Sequence, residues 1–337
     1  MRQPHCALLI AAATVAAGVV LSGRGQDGPS FRGGVEVINV TATVTDGNGS
    51  FVSGLRREDF TIYEDGEPQA ITHFSSDRVP VSLGIALDAS GSMTSDKMSS
   101  ARAAIDRFIY DLLDADDELF FLQFASRPDL MQEWTRDRRA ISRAVARVSP
   151  AGGTALYDAV ARAIPLAGIG EHPKKSLLVI SDGNDTSSRI SAGELRHAIR
   201  ESEVLVYALG VDSAVSSVRR RETGRVPFPF PIPGRGRPRR LPPIVGGGPA
   251  GRTAERVDAD ALHDITDDTG GRTEILRRFS DLEAATARLA DELSRQYSLG
   301  YVSQGRRDGR WHTIRVDVKD RRLSVRARKG YIAPPAL

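Results

Sequence analysis

Residues 81–92 read VSLGIALDASGS. The first seven residues form an unbroken apolar run with small and β-branched members, the pattern of a strand covered on both faces, as in a parallel sheet. The run stops at a carboxylate, Asp88, followed by hydroxyls at alternating positions, Ser90 and Ser92, around Gly91. In open α/β sheets, ligands bind beyond the carboxyl ends of the strands, where the strand order reverses. A strand ending in Asp-x-Ser-x-Ser therefore places several oxygens at such an edge, and Gly91 is expected to permit the tight turn that aims them at one point.

Outward from this stretch the α/β pattern repeats. A helical stretch spans about Lys97 to Leu113, followed by the strand ELFFLQFAS and a short strand LMQEWT. Arg138–Val148 and Ala155–Leu166 read as helices, KKSLLVISDG as a third buried strand, GELRHAIRES as a helix capped by Ser191, and VLVYALGV as a fourth strand. DADALHDITDDTGG then reads as a helix ending at glycine, RTEIL as a strand, and residues 280–296 as a helix with Leu282, Leu289 and Leu293 on one face. The expectation is an α/β domain over 80–298: a doubly wound, mostly parallel sheet with helices on both faces.

The flanks are different. Residues 29–79 and 299–337 alternate in hydropathy with period two. VEVINVTATVTD changes phase near Val37–Ile38, which suggests a bulge, and Asp46-Gly47-Asn48-Gly49, Asp65-Gly66 and Asp308-Gly309 read as hairpin turns. Each flank offers too few strands to bury a face alone, so the two are expected to pack together as one accessory β unit.

Residues 1–28 have a short basic start at Arg2 and His5, an apolar stretch from Ala7 to Leu21, and small residues at Ser22, Gly23 and Gly25. That is a signal-peptide pattern, so the protein is expected to be exported: periplasmic, in the cell envelope or secreted, with membrane contact only if the segment stays uncleaved. Residues 213–256 hold eight Pro, and residues 219–256 hold ten Arg against Glu222 and Glu255, about +8 on a chain of net +3. The body is thus net negative. The insert reads as a disordered basic loop, and no nucleic-acid partner is expected.

Composition excludes several classes. With 40% hydrophobic and 26% charged residues the 337-residue chain is an ordinary globular one, and a single Cys excludes a disulfide scaffold or a thiolate metal site. No phosphate-binding loop, dinucleotide fingerprint, nucleophile elbow or H-E-x-x-H is present, so no enzyme is expected.

Two further segments fall at predicted strand or helix ends: Gly152-Gly153-Thr154 before a helix and Ser181-Asp182-Gly183 after a strand. Each alone also reads as a cap or a turn. Together with Asp88, Ser90 and Ser92 they form an all-oxygen set of hydroxyls and carboxylates with no soft ligand, which suits Mg²⁺, with Mn²⁺ or Ca²⁺ as alternatives. Asp96 reads as a solvated helix residue and Asp185 as a loop or cap residue.

DASGSM, GGTALYDA and ISDGND, in this order and separation, resemble the metal-ion-dependent adhesion site of the von Willebrand factor type A domain. The flanking REDFTIYEDG, QYSLGYV and KGY resemble a bacterial exported family built around such a domain. The resemblance implies that Ser90 and Ser92 coordinate the metal directly, Thr154 does so when a ligand engages, and Asp88 and Asp182 act directly or through waters. It implies a position left open for an Asp or Glu of a partner protein. It also implies a terminal helix able to shift along its axis. The expected function is a non-enzymatic, Mg²⁺-dependent protein-binding module. The alternative is a structural or assembly factor at the cell envelope with a purely structural metal.

Overall fold

The computed structural model describes residues 37–182, 184–211, 257–303, 308–333 and 335. The expected signal segment and the Pro/Arg-rich insert lie outside the described residues. In chain order the elements are β1 (Val37–Thr45), β2 (Phe60–Glu64), β3 (Glu67–Gln69), β4 (Ile71–Ser75), β5 (Val81–Asp88), α1 (Ser95–Arg107), β6 (Glu118–Phe124), β7 (Pro128–Thr135), α2 (Arg138–Ala146), α3 (Leu156–Gly168), β8 (Lys174–Ser181), α4 (Ala192–Arg200), β9 (Leu205–Val211), α5 (Ala259–Thr266), β10 (Thr273–Leu276), α6 (Leu282–Ser294), β11 (Tyr297–Val302), β12 (Trp311–Val318), β13 (Ser324–Arg326) and β14 (Gly330–Ile332). Among the described residues no helix is long and apolar enough to cross a membrane.

The central sheet has the order β10-β9-β8-β5-β6-β7. All its pairings are parallel except β6–β7, which is antiparallel. Every residue of β5 is buried, as the continuous apolar run requires. One face packs on α1, α2 and α6 through Met98, Ile105, Ile141, Leu282 and Leu289. The other packs on α3, α4 and α5 through Leu156, Val160, Leu195, Leu262 and Ile265. From β5 the chain moves to β6 on one side and later returns to β8 on the other. The order therefore reverses at the carboxyl ends of β5 and β8, the place where such sheets form a crevice.

The flanks interleave. One four-stranded sheet is β13-β1-β11-β4 and a second is β14-β12-β2-β3, each built from both ends of the chain. Their inner faces meet in a core of Ile38, Val40, Val44, Phe60, Ile62, Tyr297, Leu299, Tyr301, Ile314 and Tyr331. Asp65-Gly66 forms the β2–β3 hairpin turn, both residues at positive φ (50° and 89°).

Three local expectations differ from the structure. Ile38, Val40, Ala42 and Val44 alternate without a bulge near Val37–Ile38; what breaks the pattern is Thr43, buried as well because α6 covers it. Asp308-Gly309 joins no hairpin, since β11 and β12 lie in different sheets, each paired with an N-terminal strand. Asp46–Gly49 is a turn, but it leads only to an isolated bridge between Thr45 and Phe51. Turn chemistry is local, whereas the choice of sheet is made by long-range pairing.

The sandwich joins the α/β domain at the amino-terminal edge of the central sheet. Arg328 donates to the Ser202 carbonyl (3.3 Å) just before β9, and Arg326 to the Gly270 carbonyl (2.9 Å) before β10. The centre of the junction is Glu292 of α6, whose side chain is fully buried. Its Oε1 accepts from Thr43 (3.2 Å) and Tyr207 (3.1 Å), Arg326 of β13 pairs with it, and Arg272 lies 3.2 Å from Oε2. Gln296 donates to Tyr207 (2.7 Å) and Thr43 (3.2 Å). Removing one member of such a group leaves buried charge and donors unpaired, at a cost of ~3–5 kcal/mol. Because Arg272 and Arg326 are about one-third exposed and can turn to water, Glu292→Ala is expected at the low end, about 3 kcal/mol, read from urea unfolding.

His312 in β12 supplies a pH-dependent contact. Nδ1 lies 2.7 Å from Asp65 and Nε2 3.2 Å from Asp308. Burial opposes the charged ring, but the two carboxylates outweigh it and raise the pKa above 6.5. The contribution of His312 is therefore full below about pH 6.5 and lost as pH rises through the elevated folded value. The wild-type urea midpoint is expected to fall between about pH 6 and 9 more steeply than that of His312→Gln; parallel curves would remove His312 from the explanation.

Candidate metal centre

Asp88 ends β5 with no exposed surface. Its Oδ1 accepts the Ser90 backbone N–H (2.8 Å), folding the next residues back over the strand, and its Oδ2 accepts the Ser181 hydroxyl (2.6 Å) at the end of β8. One carboxylate thus ties two neighbouring strand ends together at the reversal point. The loop continues through Ser92 to the buried Met93, which anchors it.

A second loop is bound to the first through the backbone. The Gly91 N–H donates to the Gly152 carbonyl (2.9 Å) and the Ala151 N–H to the Ala89 carbonyl (2.8 Å). Here the expectation for Gly91 is corrected. The positive φ (80°) belongs to Gly152, and Gly91 is needed for close approach, since a Cβ there would meet the Gly152 oxygen at 3.3 Å. Thr154 follows two residues later and is buried. Its backbone is held by a third loop: its N–H donates to the Thr186 hydroxyl (2.9 Å), and its carbonyl accepts from Thr186 (2.8 Å) and Ser187 (3.0 Å). Asp185, in the same loop, accepts from the N–H groups of Leu156 (2.8 Å) and Tyr157 (3.3 Å). It is a cap on α3 supplied from another segment, in keeping with its reading as a cap residue. Asp96 is exposed in the first turn of α1.

The side chains of three expected residues meet, and a fourth, Asp88, holds the backbone beside them. Ser90 Oγ and Ser92 Oγ are 2.9 Å apart, Ser92 Oγ donates to Asp182 Oδ1 at 2.7 Å, and Asp88 holds Ser90 through its backbone. Thr154 stands on the adjoining loop and its side chain is not a member of this chain of hydrogen bonds. Two neighbouring ligands of an octahedral Mg²⁺, each at about 2.1 Å, lie roughly 3 Å apart. The Ser90–Ser92 and Ser92–Asp182 spacings match such an edge, so the donor set fits a small hard cation. It holds only two carboxylates: among the described residues no three His, Cys, Asp or Glu side chains come together as a metal nest.

Sequence reasoning missed Lys97. Its ammonium pairs with Asp182 Oδ2 and sits 5.6 Å from the centre of the Phe279 ring. A signal existed: a lysine in the first turn of α1 opposes the positive helix end and needs a carboxylate nearby. The carboxylate lies 85 residues away, out of reach of local pattern.

Residues 83–184 match the family model of the von Willebrand factor type A domain. The chain therefore carries a von Willebrand factor type A domain. An uncharacterized protein of Synechocystis sp. is 28% identical over 137 residues, which is 40% of this chain and 32% of that protein. The chain thus matches about a third of the length of this curated relative. Similar solved structures include BatB from Bacteroides thetaiotaomicron, with 23% identity and TM-score 0.45 over 64% of this chain and 97% of that one. A von Willebrand factor type A protein from Catenulispora acidiphila has 14% identity and TM-score 0.46 over 90% and 74% of the two chains. Proximal thread matrix protein 1 of the mussel byssus, solved with a zinc-occupied MIDAS motif, has 13% identity and TM-score 0.46 over 68% and 49%.

Burial raises the Asp88 pKa from 3.8 to about 6, against the hydrogen bonds from Ser181 and Ser90, and the charge of Asp182 adds to the rise. An acid whose folded pKa is raised destabilises the fold once ionised, so stability falls as pH climbs from about 3.8 through 6. In EDTA, Asp88→Asn is expected to exceed wild type by up to about 3 kcal/mol at neutral pH, with the difference closing near pH 4. Urea unfolding at both pH values checks this, and a difference independent of pH would contradict it.

Proposed function

We propose that this chain is an exported, non-enzymatic binding module that engages an acidic side chain of a partner protein through a divalent cation, Mg²⁺ in the first instance. Ser90 and Ser92 would be direct ligands. Asp182 and Asp88 would act directly or through water, and Thr154 would join when the ligand is engaged. The observation that supports the reading is the run of oxygens Ser90–Ser92–Asp182 at the reversal point of the sheet, spaced as neighbours around a small hard ion, with Asp88 beside it on the Ser90 backbone N–H.

The roles of the residues follow from their positions. Asp88 fixes the first loop through the Ser90 N–H, so the serine hydroxyls are pre-oriented and little ordering is left to the moment of binding. Gly152 and Asp185 hold the Thr154 loop and the start of α3 against it. When bound, the cation supplies a Lewis-acidic position that attracts a carboxylate. Hydroxyls are neutral donors, so this set leaves the ion less neutralised than an all-carboxylate cage would. Proteins with von Willebrand factor type A domains are in general interaction modules, which agrees with a site built to accept a partner's side chain.

Ser90→Ala and Asp88→Ala are expected to weaken Mg²⁺ binding at least tenfold in calorimetry, a loss of about 1.4 kcal/mol or more. The fold is expected to stay nearly intact in Ser90→Ala, a loop position, whereas Asp88→Ala also strips the buried Ser181 hydroxyl and Ser90 N–H of their acceptor. A displayed peptide library selected in Mg²⁺ and eluted with EDTA is expected to yield Asp- or Glu-containing peptides on wild type and none on Ser90→Ala. Mg²⁺ binding unchanged in both variants would end the metal reading. Peptides lacking acidic residues would end the carboxylate reading alone.

A further inference from the structure

The two oxygens of Asp182 are divided. Oδ1 accepts from the Ser92 hydroxyl at 2.7 Å, which in turn lies 2.9 Å from the Ser90 hydroxyl. Oδ2 faces the ammonium of Lys97. The Asp182 side chain is fully buried and that of Lys97 is 18% exposed, so water screens the pair little. Phe279, just before α6, presents its ring to the same ammonium at 5.6 Å. The lysine is held at one end by a backbone position in α1 and at the other by a carboxylate and an aromatic ring.

Resting on the metal reading above, we propose that Lys97 is a resident counter-charge that sets both how tightly the site holds a divalent cation and how strongly the loaded site attracts an anion. Because Lys97 contacts Oδ2 and the hydroxyl chain meets Oδ1, the ammonium keeps its place when a cation takes Oδ1. The charges then decide the outcome. Asp88 and Asp182 alone would neutralise a divalent ion. With Lys97 included, the loaded site carries a net positive charge of one, which a single carboxylate from a partner cancels. Lys97 thus lowers the affinity for the metal and raises the affinity of the metal-loaded site for a monoanion. It is a positioning and charge-setting residue and does not itself ligate the ion.

A charge within a few ångströms shifts a neighbouring ionic equilibrium by about one to three powers of ten, as an arginine beside an aspartate does. In the full chain, stripped with EDTA and titrated with Mn²⁺ alone by electron paramagnetic resonance, Lys97→Met is expected to bind roughly ten- to a hundredfold tighter than wild type. Lys97→Arg, which keeps the charge, is expected to match wild type. Acetate added to the Mn²⁺-loaded proteins and followed by water-proton relaxation is expected to bind Lys97→Met more weakly than wild type. If the Met variant does not fold, Lys97→Gln retains a donor to Oδ2 while removing the charge. A merely structural salt bridge predicts a lower melting temperature with unchanged Mn²⁺ affinity, and that result overturns the proposal while leaving the metal reading intact. Equal acetate affinity overturns its second half. Absence of saturable Mn²⁺ binding in wild type and variant alike overturns the metal reading, and the proposal with it.

Discussion

A carboxylate with no exposed surface, Asp88, is the constraint on which the site end of the molecule depends. Burying it without partners would cost several kcal/mol, so its two oxygens must be satisfied, and the way they are satisfied builds the site. One oxygen takes the Ser181 hydroxyl and joins β8 to β5; the other takes the Ser90 N–H and turns the chain sharply. That turn brings the Gly91 N–H onto the Gly152 carbonyl and draws in the second loop, and the third loop follows through Thr186, Ser187 and Asp185. The order of the loops around the crevice is thus a consequence of hydrogen-bond satisfaction at one strand end. The same burial keeps the pKa of Asp88 high, so a cation beside it would relieve a cost already present in the fold.

The opposite edge of the sheet solves a different problem. Two flanking segments, neither able to bury a face alone, combine into a sandwich and need a fixed attachment to the domain between them. Glu292 provides it. A buried glutamate with two arginines, a tyrosine, a threonine and a glutamine around it is directional where an apolar patch would not be, since its donors come from β1, β9 and β13. The network contributes geometry more than net stability, because desolvation offsets much of the Coulombic gain.

The parts of this architecture readable from sequence are those decided locally or by burial pattern. VSLGIALD reads as a two-sided buried strand because its hydropathy is continuous, and the Asp65-Gly66 hairpin reads correctly because its positive φ angles need those residue types. The nearness of Asp88, Ser90, Ser92 and Asp182 was legible because they fall at strand ends in order; Thr154 stands on the adjoining loop outside their hydrogen bonds. Legibility stops where a residue's state is set far along the chain. Thr43 disturbs the alternation of β1 because Glu292, 249 positions later, buries it. Asp308-Gly309 looks like a hairpin turn, yet the strands it separates find partners more than 200 residues back. Lys97 looks like an ordinary helix-surface lysine until Asp182 is placed beside it.

The helix α6 touches both ends of this design, and the magnitudes bear on whether it connects them. At its start, Phe279 supports Lys97 beside the candidate site; near its end, Glu292 and Gln296 hold β1 and β13. An axial shift of the kind the family resemblance implies would carry Glu292 away from Thr43, Tyr207 and its arginines. Breaking a buried ionic group costs ~3–5 kcal/mol, whereas coupling free energies between sites are typically ~1–3 kcal/mol. The anchor therefore outweighs the usual driving force, unless the sandwich moves with the helix as one body and keeps the network whole. Leu282 and Leu289, buried in the face shared with α1, oppose sliding as well, since a shift of one turn would expose or misfit them. On these numbers the candidate metal centre, if it takes the proposed cation, would act as a local clamp, with the sandwich as a fixed mount at the far end of the domain.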